Sequence, residues 1–315
     1  KTSFDYFIEH RKDILISRQM NPGYLAVSLP IVNMGKVDNK GFEVTARWED
    51  EIGDFRYNIG TAWSYAKNKI VFKDEIPQPY EWMEETGRPV GQQFGYVFDG
   101  YFTEEDVKAY ATNKGTEGGI PNHGDGFTPL PGDVKYKDLN GDHKIDSKDV
   151  SAIGYPLLNG NLTLGASWKG FDISMTWAGA FKTSRLVNDM YRIPFGSTGN
   201  RSLMQYMLDD QWTPEKGDAA KVPAISLGGS VGNNYKDSDL WLRDASYVRL
   251  KNIEIGYSFP KNLIQKFRLS TLRLSVSGYN LLTFDEMDFC DPETNPNGET
   301  YPLIKVINFG LKLGF

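Results

Sequence analysis

One stretch of this 315-residue chain has residue types and a spacing that could do chemistry. Asp138, Asn140, Asp142, Lys144, Asp146 and Asp149 fall at positions 1, 3, 5, 7, 9 and 12 of the calcium-loop template. Alternate residues of a tight loop aim their oxygens at one centre, and Lys144 would contribute its backbone carbonyl. The expectation is a bound divalent cation, Ca2+ first and Mg2+ also compatible, that stiffens a loop rather than catalyses. Ile145, at position 8, would anchor the loop on apolar surface. Two departures set against this are His143 where the template has glycine, and Asp149 where it has the longer glutamate. A solvated acidic turn is the alternative.

Nothing else reads as a reaction centre. His10, His123 and His143 are scattered and are expected at the surface, and no nucleophile motif or phosphate-binding glycine loop is present, so the chain is not expected to be an enzyme. Trp82, Tyr101, Tyr191 and Trp212 lie in expected loops, where they could stack on sugar rings or simply pack. No residue is singled out as a substrate contact. A formal net charge of -6 argues against a nucleic-acid partner. Cys290 is the single cysteine, so no intrachain disulfide can form.

The elements that must position the acidic loop are strands. Ile307, Phe309, Leu311, Leu313 and Phe315 share one parity, with Asn308, Gly310, Lys312 and Gly314 on the other. That period of two gives a strand with one apolar and one polar face. Phe42, Val44, Ala46 and Trp48 alternate with Glu43, Thr45, Arg47 and Glu49. After a tight turn, Phe55, Tyr57, Ile59, Trp63 and Tyr65 alternate with Arg56, Asn58 and Ser64. Both strands are expected to run about ten residues, enough to span a bilayer when tilted, with aromatics near either end. A second hairpin turns at Lys169-Gly170, and a third pair covers residues 246–259 and 272–284. Residues 19–40, 73–158, 182–243 and 285–300 read as loops. A short helix capped by Thr103 is expected in the second of these, together with two helical turns from Ser147.

The connections alternate between short and long, the mark of an antiparallel transmembrane β-barrel with turns on the periplasmic side and long extracellular loops. No apolar run reaches the ~18 residues of a membrane helix, which leaves barrels open. About eight strands are expected, and loops of this size suit a larger barrel than eight strands would close. The chain opens inside a strand, without Met or a signal peptide, and is read as a C-terminal portion.

Four stretches then carry a resemblance. GDVKYKDLNGDHKID at 132–146, NKGFE at 39–43, GYVFDGY at 95–101, and RDASYVRLKN at 243–252 with GYSFP at 256–260 resemble, in order, the SusC-like family of TonB-dependent outer-membrane transporters. The resemblance implies an all-β fold: about eight C-terminal strands of a ~22-stranded barrel whose plug domain is absent from this chain. It also implies import of an oligosaccharide or a peptide across the bacterial outer membrane. The implied partners are a SusD-like surface lipoprotein and TonB, the latter reached through the missing N-terminal region. On this reading Glu43, Arg47, Arg56 and Asn58 line the lumen, and Val44, Ile59 and Leu164 face lipid. A soluble calcium-stabilised carbohydrate-binding β-protein, an outer-membrane hydrolase and a small eight-stranded adhesion barrel are the alternatives.

Overall fold

A computed structural model describes residues 1–18, 29–154, 158–195, 202–225, 231–296 and 300–315. Eight long strands form one antiparallel sheet in chain order. They are β1 (Thr2–Ile16), β2 (Val32–Ile52), β3 (Phe55–Phe72), β4 (Leu158–Trp168), β5 (Phe171–Phe181), β6 (Tyr247–Ser258), β7 (Thr271–Asp285) and β8 (Val306–Gly314). The short connections work as the sequence predicts. Gly53 (φ 61°), Lys169 (φ 47°) and Gly170 (φ 90°) supply the left-handed backbone that two-residue hairpin turns require. The β6–β7 connection holds a single helical turn, Lys261–Ile264, followed by a 3-10 turn.

The register sorts side chains by polarity across the whole sheet, because residues directly opposite on antiparallel strands share a face. One face runs Val44, Trp63, Gly160, Gly179 and Val248, with the parallel row Trp48, Ile59, Leu164, Met175, Ile253 and Gly278 below it. The other face carries Glu43, Arg47, Arg56, Asn58, Thr163, Asp172 and Glu254. The expected parity of Glu43, Arg47, Arg56 and Asn58 against Val44, Ile59 and Leu164 therefore holds. Register is held across a bulge in β6 around Lys251, matched on β7 by Asn280 (φ 53°), so the apolar face stays continuous.

That apolar face has no covering layer among the described residues. Phe309 is 84% exposed, Phe4 65% and Trp48 60%. Its aromatics gather in two belts. Phe55–Tyr57 and Phe171–Tyr257–Phe259 stack beside the short turns, and Phe4–Phe42–Tyr65, Trp63–Phe181 and Trp177–Phe284 stack toward the loops. Eight to ten residues separate the belts along β3, ~27–34 Å of strand, or about 19–24 Å of depth at a ~45° tilt. This is close to the height of an outer-membrane apolar band, ~25 Å.

Two expectations need correction. Residues 19–40 are not all loop: β2 begins at Val32, and β2 and β3 run for 21 and 18 residues rather than ten. In the extra length, the segment where Asp38 pairs with Lys69, Asn39 with Asn68 and Lys40 with Lys67 is polar on both faces, which breaks the period-two apolar signal. It projects beyond the outer aromatic belt. Gly87 and Arg88 exchange backbone hydrogen bonds with Ile70 there, covering the edge that β4 leaves free (2.8 Å each). Residues 19–28 lie outside the described set.

The parity fixes an expected result. Leu164→Arg places a charge against hydrocarbon, at a cost of about 2–4 kcal/mol near the midplane, whereas Thr163→Arg faces the lumen. Heat-modifiable folded barrel recovered from outer membranes should drop for the first variant and not for the second; equal recovery of both would contradict the assignment.

Candidate functional site: the extracellular lobe and the lumen wall

The loops are not irregular excursions. The described residues of 73–154 and 182–243 fold together into a lobe above the sheet, and this lobe contains the main cluster of buried apolar side chains. Tyr101, Val134, Tyr136 and Ile145 of the first loop pack with Val187, Met207, Val222 and Trp241 of the second. Local sequence starts the lobe. Thr103 caps α1 (Glu104–Asn113), its hydroxyl accepting from Asp106 N (3.1 Å) while Asp106 Oδ2 accepts from Thr103 N (3.0 Å). Asp106 also pairs with Lys135 Nζ at 2.8 Å. Burial raises the pKa of that carboxyl, but the Lys135 and Thr103 bonds outweigh it and hold the group below the usual range.

Two adjacent amides join the loops. Asn234 Oδ1 accepts from Val134 N (2.9 Å) and its Nδ2 donates to Asp133 (2.7 Å). Asn233 Nδ2 donates to Val134 O (2.8 Å), and the Tyr136 hydroxyl donates to Asn233 O (2.7 Å). The edge of a short strand, Val134–Tyr136, is thus satisfied by side chains one hundred residues away. No sequence spacing announces this pair.

His123 was expected at the surface and is buried instead, ringed by Phe102, Phe127 and Tyr136 at 5.3–6.2 Å. Its partners fix its state. Nδ1 lies 2.8 Å from Pro121 O, which can only accept, and Tyr136 N donates to Nε2 at 3.1 Å. The ring is therefore neutral, with its proton on Nδ1. Burial pushes its pKa down from 6.5 to about 4.

The six acidic-loop residues share one turn, whose backbone keeps part of the calcium-loop geometry. His143 adopts the left-handed backbone that glycine normally supplies (φ 62°). Asp138 accepts from Gly141 N and His143 N (2.7 Å each), Asn140 accepts from Asp142 N (2.9 Å), and Asp142 accepts from Lys144 N (3.1 Å). Ile145 is buried in the lobe core, as expected, and the Asn122 backbone holds the turn there, donating to His143 O and accepting from Ile145 N (2.9 Å each). The side chains themselves do not converge. Asp149 is turned inward and fully buried, its two oxygens accepting from Leu139 N (2.8 Å) and Asp146 N (2.9 Å). Burial raises its pKa, and these backbone bonds oppose that rise. Lys148 Nζ lies 2.9 Å from Asp142 Oδ2 and 3.7 Å from Asp146 Oδ2, supplying positive charge there. Among the described residues, no group of three or more His, Cys, Asp or Glu side chains is arranged to hold a metal ion. As arranged, the donors fit an ammonium-clamped turn and not an oxygen cage. Of the two helical turns expected from Ser147, one 3-10 turn, Ser147–Asp149, forms.

The candidate stacking aromatics mostly pack within the lobe. Tyr101 is buried in the core, Trp212 lies against Gly132, and Tyr191 meets Phe289 at 5.6 Å. Trp82 stacks on Tyr80 at 4.4 Å and donates its indole N–H to Lys148 O (2.7 Å), tying the acidic turn to a neighbouring aromatic pair.

The lumen wall carries two charge clamps. Arg273 on β7 reaches across β6 to Asp172 on β5 and Glu254 on β6 (2.6 Å each). It can lie flat because position 256 is glycine: a Cβ there would collide with the guanidinium. Nearer the lobe, Arg249 is 2% exposed. It donates to Thr283 Oγ1 (2.9 Å), Asp291 (2.9 Å) and Glu293 (2.6 Å), and Lys251 adds a second contact to Glu293 (2.6 Å). The β7–β8 loop is thereby strapped onto the inner face. Opposite charges some forty residues apart were present in the sequence without a spacing to pair them.

An apolar outer face between aromatic belts, a polar inner face and folded loops at one end define the wall of an outer-membrane β-barrel receptor. Residues 1–281 match the family described as TonB dependent receptor-like, beta-barrel, and the chain belongs to that family, whose members are transporters and not enzymes. It is 27% identical to TonB-dependent receptor P3 of Formosa agariphila, across 99% of this chain and 32% of that protein. It is 25% identical to receptor P26 of the same organism, over 99% and 32%. Among solved structures, the RagAB peptide transporter superposes with a TM-score of 0.71 at 19% identity, covering 100% of this chain and 33% of that one. The RagAB peptide importer in its open-open state gives 0.68 at 20%, over 100% and 32%. The chain spans about a third of the length of these relatives. The TonB-dependent receptor resemblance and the outer-membrane location stand, and the soluble reading falls with them.

Two results follow. A base whose folded pKa is depressed contributes stability that is full above its unfolded pKa and is lost below it. His123 should therefore cost the lobe up to about 3 kcal/mol as pH falls from 6.5 to about 4. Thermal melts of the lobe should show that acid limb, and His123→Gln should flatten it; an unchanged limb would clear His123 of the effect. Arg249→Met leaves Asp291 without its cationic partner and Glu293 with Lys251 alone, a loss of up to about 3–5 kcal/mol for a buried pair. Hydrogen exchange of residues 286–296 should then accelerate while the β4–β5 hairpin stays protected, and unchanged exchange would show that the loop is held elsewhere.

Proposed function

We propose that this chain supplies wall, lumen lining and extracellular lobe to a receptor that imports a nutrient across the outer membrane. The nutrient is an oligosaccharide or a peptide, the energy comes through TonB, and a SusD-like surface lipoprotein closes over the lobe. The observation that carries the reading is the inverted distribution of polarity. The sheet turns its apolar side chains outward, lines the interior with charge and amide, and keeps its aliphatic and aromatic core in the loops. Such a wall suits passage of a polar solute, and a preorganised lobe suits its capture before entry.

A divalent cation at the acidic turn would be a structural ligand on this reading. Calcium, or magnesium, enters only by displacing the Lys148 ammonium from Asp142 and Asp146. Lys148→Met in the full-length receptor should tighten calcium binding in a calorimetric titration, and absence of calcium binding by both proteins would remove the cation from the account.

Import is tested in cells. Uptake of labelled oligosaccharides and peptides should be lost both on deletion of the receptor and on collapse of the proton-motive force. Uptake that needs the receptor but survives the uncoupler would make it a passive pore.

A further inference from the structure

We propose that the outer face contains a built recess that holds one acyl chain of lipid A from the outer leaflet. Two glycines, Gly160 on β4 and Gly179 on β5, lie directly opposite each other on the apolar face, and Val248 of β6 flanks Gly179 on its other side. Beside this glycine pair lies an apolar hollow of about 260 Å³, walled by Trp63, Leu162, Trp177, Phe181 and Val248.

The hollow is enforced by the packing around it. A Cβ on Gly160 would collide with the Trp63 indole, which lies over that backbone as one wall. A Cβ on Gly179 would come within 2.8 Å of the Tyr247 carbonyl and 3.1 Å of the Phe181 ring. Trp63 and Phe181 brace each other at 5.8 Å, and Trp177 is braced by Phe284 at 6.3 Å. Rigid aromatic walls keep their shape when a guest leaves, which lowers the ordering cost of binding.

The depth selects the occupant. Gly179 lies eight residues beyond Phe171 at the short turn, ~27 Å along the strand and about 19 Å up the ~25 Å band at a ~45° tilt. That level is the outer leaflet, at the upper aromatic belt, whose Trp63, Trp177 and Phe181 form the walls. The hollow is continuous with the lipid-facing surface and has almost no polar lining, so it offers a chain methylenes to bury and no group to hydrogen-bond.

The inference depends on the outer-membrane reading, and the experiment separates the two. Full-length receptor and its Val248→Trp, Leu162→Trp and Val276→Trp variants are purified in detergent. Val276 shares the apolar face but lies outside the recess. Heat modifiability first establishes that each forms a barrel; if none does, the membrane reading itself fails. Lipid A is then titrated and the bound species are counted by native mass spectrometry. The first lipid A should bind wild type and Val276→Trp alike, and about tenfold more weakly to the two variants that fill the hollow, the loss of roughly two buried methylenes. Equal binding by all four folded proteins would overturn the recess.

Discussion

A lipid bilayer offers a backbone nothing to hydrogen-bond with, and that constraint shapes most of this molecule. Through the apolar band each strand pairs with the next in an antiparallel ladder, and the bulge at Lys251 of β6 is answered by one at Asn280 of β7. With the backbone satisfied laterally, side chains have only to choose between lipid and lumen, and the period of two makes that choice for them. The familiar inside-out rule then applies in reverse. The sheet has no core beneath it; its apolar side faces out.

The core that does exist lies in the lobe, where water returns and irregular backbone is allowed. There the problem is to satisfy many buried polar groups without regular ladders. The molecule solves it with side chains: Asn233 and Asn234 serve one strand edge, His123 accepts from another residue of that strand, and Asp149 staples the two ends of the acidic turn. The Arg249 clamp does the same for the β7–β8 loop with charge instead of amide. Removing one member of such a network leaves its partners buried and unpaired, so the lobe should behave as a unit.

Legibility followed the same division. Where one face meets lipid, alternation of apolar and polar residues is forced, and the eight strands, their parity and the short turns were readable from residue types alone. Where both faces are wet, as at Asp38, Asn39 and Lys40, the same strand carries no such pattern and read as loop. The acidic turn was readable because calcium-loop spacing is local, down to the buried Ile145, whereas the left-handed backbone at His143 was not, because histidine there counted against the template. Its charge partner was not, because Lys148 is an ordinary lysine until the turn folds it over Asp142. Contacts between residues a hundred positions apart, such as Val134 with Asn234, leave no trace in spacing.

The claim on which all of this turns is the assignment of the two faces. It is tested most directly by placing a spin label in turn at each position from 159 to 167 of β4 in the full-length receptor, reconstituted in lipid. Collision rates with oxygen, which dissolves in hydrocarbon, and with a water-soluble nickel chelate are then compared. Oxygen access should peak at Gly160, Leu162, Leu164 and Ala166, and chelate access at Asn159, Asn161, Thr163, Gly165 and Ser167. A profile without that two-residue period, or with its phase reversed, would contradict the account.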